Sequence, residues 1–245
     1  MNKEKLVLAY SGGLDTSVLV HWLDQQGYEV IALCLDLGQK VEDIDAILEK
    51  GKKAGAAKVL VENVEEEFVK DYVLPSIHWN ALYEGTYLLG TSLARPLISK
   101  KQIEVAEREG AVAVAHGATG KGNDQVRFEL SYYALKPDIR VVAPWKIPEF
   151  FKKYPGRTEL LAYAEKYEIP VKASKDQPWS SDENLMHISF ESGMLEDPWQ
   201  EPRQEMFELS QSPQAAPGEA QAVLCLLYTS PSPRDAHESR MPSSA

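Results

Sequence analysis

The stretch Leu6–Ser17, LVLAYSGGLDTS, decides the fold. Leu6, Val7, Leu8 and Ala9 form an apolar run with no polar alternation. That is the pattern of a strand covered on both faces, as in a parallel sheet. Ser11, Gly12 and Gly13 break the run. Two glycines permit backbone angles that other residues resist, and they leave no side chain in a ligand's way. Asp15, Thr16 and Ser17 are good helix-starting residues, and Val18, Leu19, Trp22 and Leu23 continue at helical spacing. Backbone N–H groups and a helix N-terminus therefore converge where a strand ends, a geometry that binds phosphate.

Gly-Gly after a strand is, on its own, compatible with an ordinary connection. The full string SGGLDTS is more specific. It differs from the dinucleotide fingerprint and from the phosphate loop that ends in Gly-Lys-Ser/Thr. It resembles the SGG-x-D-[ST] pyrophosphatase loop of ATP-consuming, AMP-forming ligases and sulfur-transfer enzymes, which implies ATP binding through the β- and γ-phosphates.

Working outward, Gly27 ends the first helix and Tyr28–Leu35 reads as a second buried strand. Asp36–Gln39 follows at its carboxyl end, where open α/β sheets bind ligands, although the segment reads by itself as a plain loop. Val41–Ala54 is expected as an amphipathic helix with Ile44, Ile47 and Leu48 inward, and Lys58–Val61 as a third strand. Glu65–Glu67 are placed in the first turn of the next helix, on a solvated face. Gly85 and Gly90 suggest an irregular loop across Leu82–Ala94, with Ser92 capping a helix that holds Arg95 and Pro96 in its first turn. Ala111–Ala115 reads as another apolar strand, Arg140–Ala143 as a further one, and Thr158–Tyr167 as a helix with Leu160, Leu161 and Ala164 inward. Strands alternating with helices argue for a doubly wound parallel sheet.

His116–Glu129, HGATGKGNDQVRFE, is the second functional stretch. Gly117, Gly120 and Gly122 are interleaved with Thr119, Lys121, Asn123 and Asp124, and Arg127 and Glu129 follow on an expected helix Asp124–Leu135. So many hydrogen-bonding groups at a strand's carboxyl end favour a site over a solvated loop capped by Asp124. Asp176–Ser192 has the composition of a loop with one aromatic anchor, Trp179. Beyond Asp197, four prolines (Pro198, Pro202, Pro213 and Pro217) exclude long helices and central strands, and Tyr228–Ala245 has the composition of a disordered tail.

Composition narrows the function. The 245 residues suit one large domain or two small ones, and 44% hydrophobic content is that of a soluble globular chain. A net charge of −11 disfavours a nucleic-acid partner, which needs a basic footprint. Two distant cysteines, Cys34 and Cys225, offer neither a disulfide framework nor a thiolate metal site, and fit a reducing cytoplasm. MNKEKLVLAY carries too short an apolar run for a signal peptide or a membrane span.

Taken together, LAYSGGLDTS, YLLGTSLARP, HGATGKGNDQVRFE and PWSSDENLMHIS resemble the argininosuccinate synthase family from about Lys5 to about Val223. The resemblance implies an α/β fold of the ATP-pyrophosphatase (adenine nucleotide α-hydrolase-like) type over residues 1–166. It implies an incomplete synthetase domain over 167–223, and leaves 224–245 as a tail unlike the family. It implies ligation of citrulline to aspartate with ATP and Mg²⁺ through citrullyl-AMP, releasing AMP and pyrophosphate. Ala9, Tyr10, Ser11, Gly12, Gly13, Leu14, Asp15, Thr16 and Ser17, with Asp36 and Gly117, would line the ATP site. Tyr87, Ser92, Asn123, Arg127, Ser180 and Ser189 would contact citrulline, and Thr119, Asn123 and Asp124 would contact aspartate. Asp124 and Arg127 stand nearest the chemistry, Arg127 as a fork for a carboxylate. Mg²⁺ would ride on the phosphates, with no protein ligand assigned. The family enzyme is a cytoplasmic homotetramer, and its oligomerisation segment has no counterpart here. A non-catalytic ATP-binding fragment, or a tRNA-thiolating enzyme with the same loop, are the alternatives. The acidic charge and the absence of paired cysteines weigh against the latter.

Overall fold

A computed structural model describes residues 3–40, 44–120, 122–171, 179–220 and 222. Strand β1 (Glu4–Ala9) is central, and Leu6, Val7 and Leu8 are fully buried. Leu6 and Leu8 enter one core and Val7 the other, so the continuous apolar run reflects two covered faces rather than one. β1 pairs in parallel with β2 (Tyr28–Asp36), from Glu4 opposite Tyr28 to Ala9 opposite Leu33. β2 pairs with β3 (Lys58–Asn63), and on the other side β1 pairs with β4 (Ala113–Ala115), which pairs with β5 (Arg140–Val142). The order is β3-β2-β1-β4-β5, all parallel. The fold is the expected doubly wound α/β sheet, and its direction of winding reverses between β1 and β4, where such sheets bind ligands.

Helices α1 (Leu14–Gln25) and α2 (Ile44–Lys53) cover one face. α3 (Glu65–Phe68) runs through a π turn (Val69–Val73) into α4 (Leu74–His78), and α5 (Gly90–Glu109) and α6 (Asn123–Leu135) pack on the opposite face. α7 (Pro148–Lys153) and α8 (Arg157–Lys166) return to the α1 face, where Trp145, Phe150, Tyr154 and Tyr163 interlock at ring separations of 5.1–5.2 Å. Buried Gln102 of α5 donates to the carbonyls of Val7 (3.1 Å) and Ala115 (2.9 Å) and accepts from Tyr132 Oη (2.5 Å). One side chain thus ties β1, β4 and α6 behind the reversal point.

Several expectations need correction. Ile44 is exposed at the start of α2, so that helix turns inward only from Ile47. Glu67 is not on a solvated face: Lys100 and Lys101 hold it at 2.6 and 2.7 Å. β4 is shorter than Ala111–Ala115, because Gly110 turns left-handed (φ +69°) and Ala111 N–H still donates to Ala106 in the helix (2.8 Å). α5 starts at Gly90, so Ser92 lies inside it and Pro96 is a helix-interior proline. The largest correction is the stretch read as a loop. Ser180–Glu183 (β6) and Ile188–Glu191 (β7) form an antiparallel hairpin, with Asp182 opposite Ser189. Trp179 is its buried anchor, with the Arg203 guanidinium 5.8 Å above the ring. After Asp197 the described residues hold only the short 3₁₀ turn Gln204–Met206. The tail Tyr228–Ala245 lies outside the described residues.

Candidate active site

At the carboxyl end of β1, Tyr10 N–H extends the ladder to Leu33 O (2.8 Å), and its buried hydroxyl lies 3.4 Å from Ser17 Oγ. The chain then turns through Gly12 at φ +75°, a left-handed conformation that suits glycine. Gly13 precedes α1 in extended conformation, with no side chain capping the helix. The expected helix starters serve the loop instead. Thr16 Oγ1 accepts from Ser11 N–H (3.3 Å) and sits 3.0 Å from Ser11 Oγ, while Ser11 Oγ accepts from Gly13 N–H (3.4 Å). Hydroxyls therefore lock the loop onto the first turn of α1 while side-chain caps leave its N–H groups alone, the arrangement that attracts an anion. Leu14 is buried beneath this turn and Asp15 is exposed beside it.

The loop after β4 backs onto the same turn. A Cβ added at Gly117 would stand 3.3 Å from Thr16 Cγ2 and 3.4 Å from Leu19 Cδ1. His116, fully buried, anchors this loop: its Nδ1 accepts from Ala118 N–H (3.3 Å) and its ring stacks on Phe128 at 5.1 Å. Its Nε2 has no hydrogen-bond partner, with Glu129 3.7 Å away. Burial drives the His116 pKa down to about 4, against the pull of Glu129. Thr119 and Asn123 are exposed on this loop and at the start of α6. Asp36 sits at the same sheet edge, but its oxygens accept from Gly38 N–H (3.0 Å) and Asn63 Nδ2 (2.9 Å), so it is committed to its own turn.

The remaining expected residues gather around α5. Asp124 does not cap α6, which follows Gly122 without a side-chain cap. Its carboxylate takes Arg127 at 2.7 Å on one oxygen and Arg95 Nε at 2.7 Å on the other. Arg95 also reaches Asp182 of the hairpin at 3.0 Å. Burial opposes the Arg95 charge, yet Asp182 and Asp124 together raise its pKa. Glu191, across the hairpin from Ser180, has its pKa raised by burial and by Asp182 and Asp124. Ser189 lies 3.4 Å from Thr91, next to Ser92, and His187 brings the hairpin against Tyr87 at 5.2 Å between rings. The structure thus joins Tyr87, Ser189 and Asp124 to α5, which carries Ser92, through His187, Thr91 and Arg95; Arg127 follows on Asp124, Ser180 lies across the hairpin from Glu191, and Gly117 meets the first turn of α1.

Sequence reasoning missed Arg95, Asp182 and His187 as site builders. All three lie inside the quoted motifs, and Arg95, the single charged residue of YLLGTSLARP, was the available signal. A cleft of about 420 Å³ lined by Trp22, Glu129, Tyr133, Val142 and Lys146 touches the second stretch only at Glu129 and contains none of the residues assigned to a substrate. Cys34 is buried, and that burial pushes its thiol up to about 11. Among the described residues no three metal-ligating side chains cluster, and no helix is long and apolar enough to cross a membrane.

Comparison with known proteins adds two family matches and three relatives. The model of the family described as arginosuccinate synthase N-terminal HUP domain matches residues 5–170, and that of the arginosuccinate synthase C-terminal domain matches residues 179–229. The argininosuccinate synthase of Thermotoga petrophila is 59% identical over 217 residues, 89% of this chain and 53% of that protein. The enzymes so named from Saccharomyces cerevisiae and Danio rerio are 55% and 52% identical, each over 90% of this chain and 52% and 53% of their own lengths. The chain spans about half the length of the curated relatives it matches.

Proposed function

This chain belongs to the argininosuccinate synthase family, and from that membership we propose that it binds ATP, citrulline and aspartate for carbon–nitrogen ligation. The observation that carries the reading is the uncapped first turn of α1 behind Gly12 and Gly13, backed by Gly117 of the β4 loop. In this reading Ala9–Ser17 receive the pyrophosphate end of ATP, and Asp36 shapes the rim through its turn. Tyr87, Ser92, Asn123, Arg127, Ser180 and Ser189 hold citrulline, with Arg127 offering a fork to its carboxylate. Thr119, Asn123 and Asp124 hold aspartate.

The ureido oxygen of citrulline attacks the α-phosphorus, and pyrophosphate leaves towards the α1 turn. The aspartate amine then attacks the activated carbon, and AMP departs with the C–O electron pair. No side chain forms a covalent bond. The protein's work is to align the reactants and to stabilise developing charge with fixed dipoles. Mg²⁺ suits this arrangement as an ion carried by the phosphates. A nucleotide unit over residues 1–166, a substrate unit from residue 167 and a cytoplasmic location complete the proposal.

Calorimetric titration with Mg-ATP, followed by citrulline-dependent pyrophosphate release in the presence of aspartate, tests it. ATP affinity equal in the parent and Gly12→Val chains overturns the ATP assignment. Pyrophosphate release that ignores citrulline overturns the ligase assignment.

A further inference from the structure

Helix α5 begins in an unusual way. Leu89, before it, holds a left-handed φ of +64°, and no local side chain caps the first turn. First-turn N–H groups of a helix lack partners within it. Here one acceptor comes from 97 positions downstream: His187 Nε2 accepts from Gly90 N–H at 2.8 Å. Gly90 makes the approach possible, since an added Cβ would stand 2.7 Å from Nε2 and 2.9 Å from Cδ2 of that ring. The imidazole is aimed by the hairpin turn, in which Asn184 N–H donates to His187 O (3.1 Å) and Asn184 Oδ1 accepts from Met186 N–H (3.0 Å). The hairpin's other ties are Ser189 Oγ to Thr91 Oγ1 (3.4 Å) beside this cap, Asp182 to Arg95 further along α5 (3.0 Å), and Leu185 N–H to Leu37 O (2.8 Å).

We propose that His187 is a positioning residue for the citrulline wall. By capping α5 from the hairpin it fixes Tyr87 and Ser92 on one side against Ser189 on the other. The proposal rests on the assignment of those three residues to citrulline. Accepting from Gly90 requires a lone pair on Nε2, so the imidazole is neutral with its proton on Nδ1. A hydrocarbon side chain cannot replace it. A glutamine amide oxygen, three carbons from the backbone, reaches to a similar distance and can.

The test uses the full chain and three variants: His187→Ala, His187→Gln and Gly90→Ala. Amide hydrogen exchange at Thr91 and across Ile188–Glu191 reads hairpin docking. Calorimetry with citrulline, in the presence of a non-hydrolysable ATP analogue, reads the wall. His187→Ala and Gly90→Ala are expected to speed that exchange about tenfold and to weaken citrulline about tenfold, the worth of one hydrogen bond. ATP affinity should stay within about twofold, and His187→Gln should recover most of the loss. The ¹⁵N shifts of His187 should report the Nδ1–H tautomer. Equal weakening of citrulline and ATP would mean a merely structural residue and overturn the proposal. Unchanged exchange in both disruptive variants, or an Nε2–H tautomer, would overturn the cap whatever the ligand. A parent chain that binds ATP but not citrulline defeats the substrate assignment, and the positioning role with it, while the exchange arm still decides the cap.

Discussion

The two sides of the candidate site are made of different materials. Around Gly12 and Gly117 the site is backbone, presented by strands whose central side chains are buried and whose ladder fixes position residue by residue. Around Asp182 and Ser189 it is side chain, presented by a four-residue hairpin pair with few buried positions and attached to the sheet domain by Met186 and by single polar contacts of Asp182, Leu185, His187 and Ser189. The first kind resists point mutation except at its glycines. The second depends on a handful of long-range partners.

The largest effect is expected where backbone freedom is the function. Gly12→Val places a β-branched residue at φ +75°, a conformation costing an ordinary residue about 1–2 kcal/mol. It should weaken ATP at least about 100-fold, about 2.8 kcal/mol, in calorimetry. Gly13→Ala should do far less, because Gly13 has extended dihedrals and its added Cβ would meet only Ser11 Oγ at 3.4 Å. If the two substitutions cost the same, the special geometry of Gly12 is not what the loop uses.

Next comes the cation that joins the halves. Arg95→Met leaves Asp124 and Asp182 facing each other's field without their shared partner. Breaking a buried pair costs about 3–5 kcal/mol, and with Asp182 two-fifths exposed about 2 kcal/mol is the better figure. Urea unfolding should show it, with exchange across Ile188–Glu191 rising while β1 and β2 stay protected. Loss of protection in β1 as well would mean that the hairpin and sheet are one cooperative unit.

This contrast also explains what the sequence made legible. β1, β2 and the α1 loop are local objects, so an apolar run, two glycines and helical spacing suffice to place them. SSDE has no such pattern, since β6 is held by its partner strand and by Arg95 rather than by an apolar face. The start of α5 was misread for the same reason. Pro96 looked like a first-turn proline and Ser92 like a cap, whereas the true cap, His187, lies in another element. Asp124 looked like a cap for α6 because the arginines that claim it could not be placed by spacing alone.

Acid should separate the halves with opposite signs. His116 is neutral in the folded state, with its pKa near 4 against 6.5 when exposed. The unfolded chain therefore binds a proton that the folded chain refuses, and stability is lost as pH falls from about 6.5 towards 4, about 2 kcal/mol of it by pH 5. His116→Phe should flatten that slope in urea unfolding at pH 7 and pH 5. Glu191 works the other way: its raised pKa means the docked hairpin holds a proton better than the free one, so docking strengthens as pH falls through that raised value. Because protonating His187 would also undo its cap, the Glu191 contribution is read in the His187→Gln chain; hairpin exchange that quickens there on acidification, in step with the sheet, would erase the distinction.

The smallest expected effect is also the most discriminating. Read as a cap, Ser92 should cost about 1 kcal/mol of stability when changed to alanine. In the structure α5 starts at Gly90, Leu89 precedes it, and the first-turn acceptor is His187, so the Ser92 hydroxyl caps nothing. Inside a helix alanine is the better residue by a few tenths of a kcal/mol. Pro96 sharpens the point: lacking an N–H, it cannot bond the Ser92 carbonyl one turn back, so this turn is already loose and a serine there adds no compensating bond. Ser92→Ala should therefore leave the urea midpoint unchanged or slightly raised, within about 0.5 kcal/mol, while citrulline affinity falls if its hydroxyl faces the substrate. A stability loss near 1 kcal/mol would return Ser92 to the role its sequence suggests and place the start of α5 at Leu93. An unchanged midpoint with unchanged citrulline affinity would remove Ser92 from the wall and leave that side of the pocket to Tyr87 and Ser189.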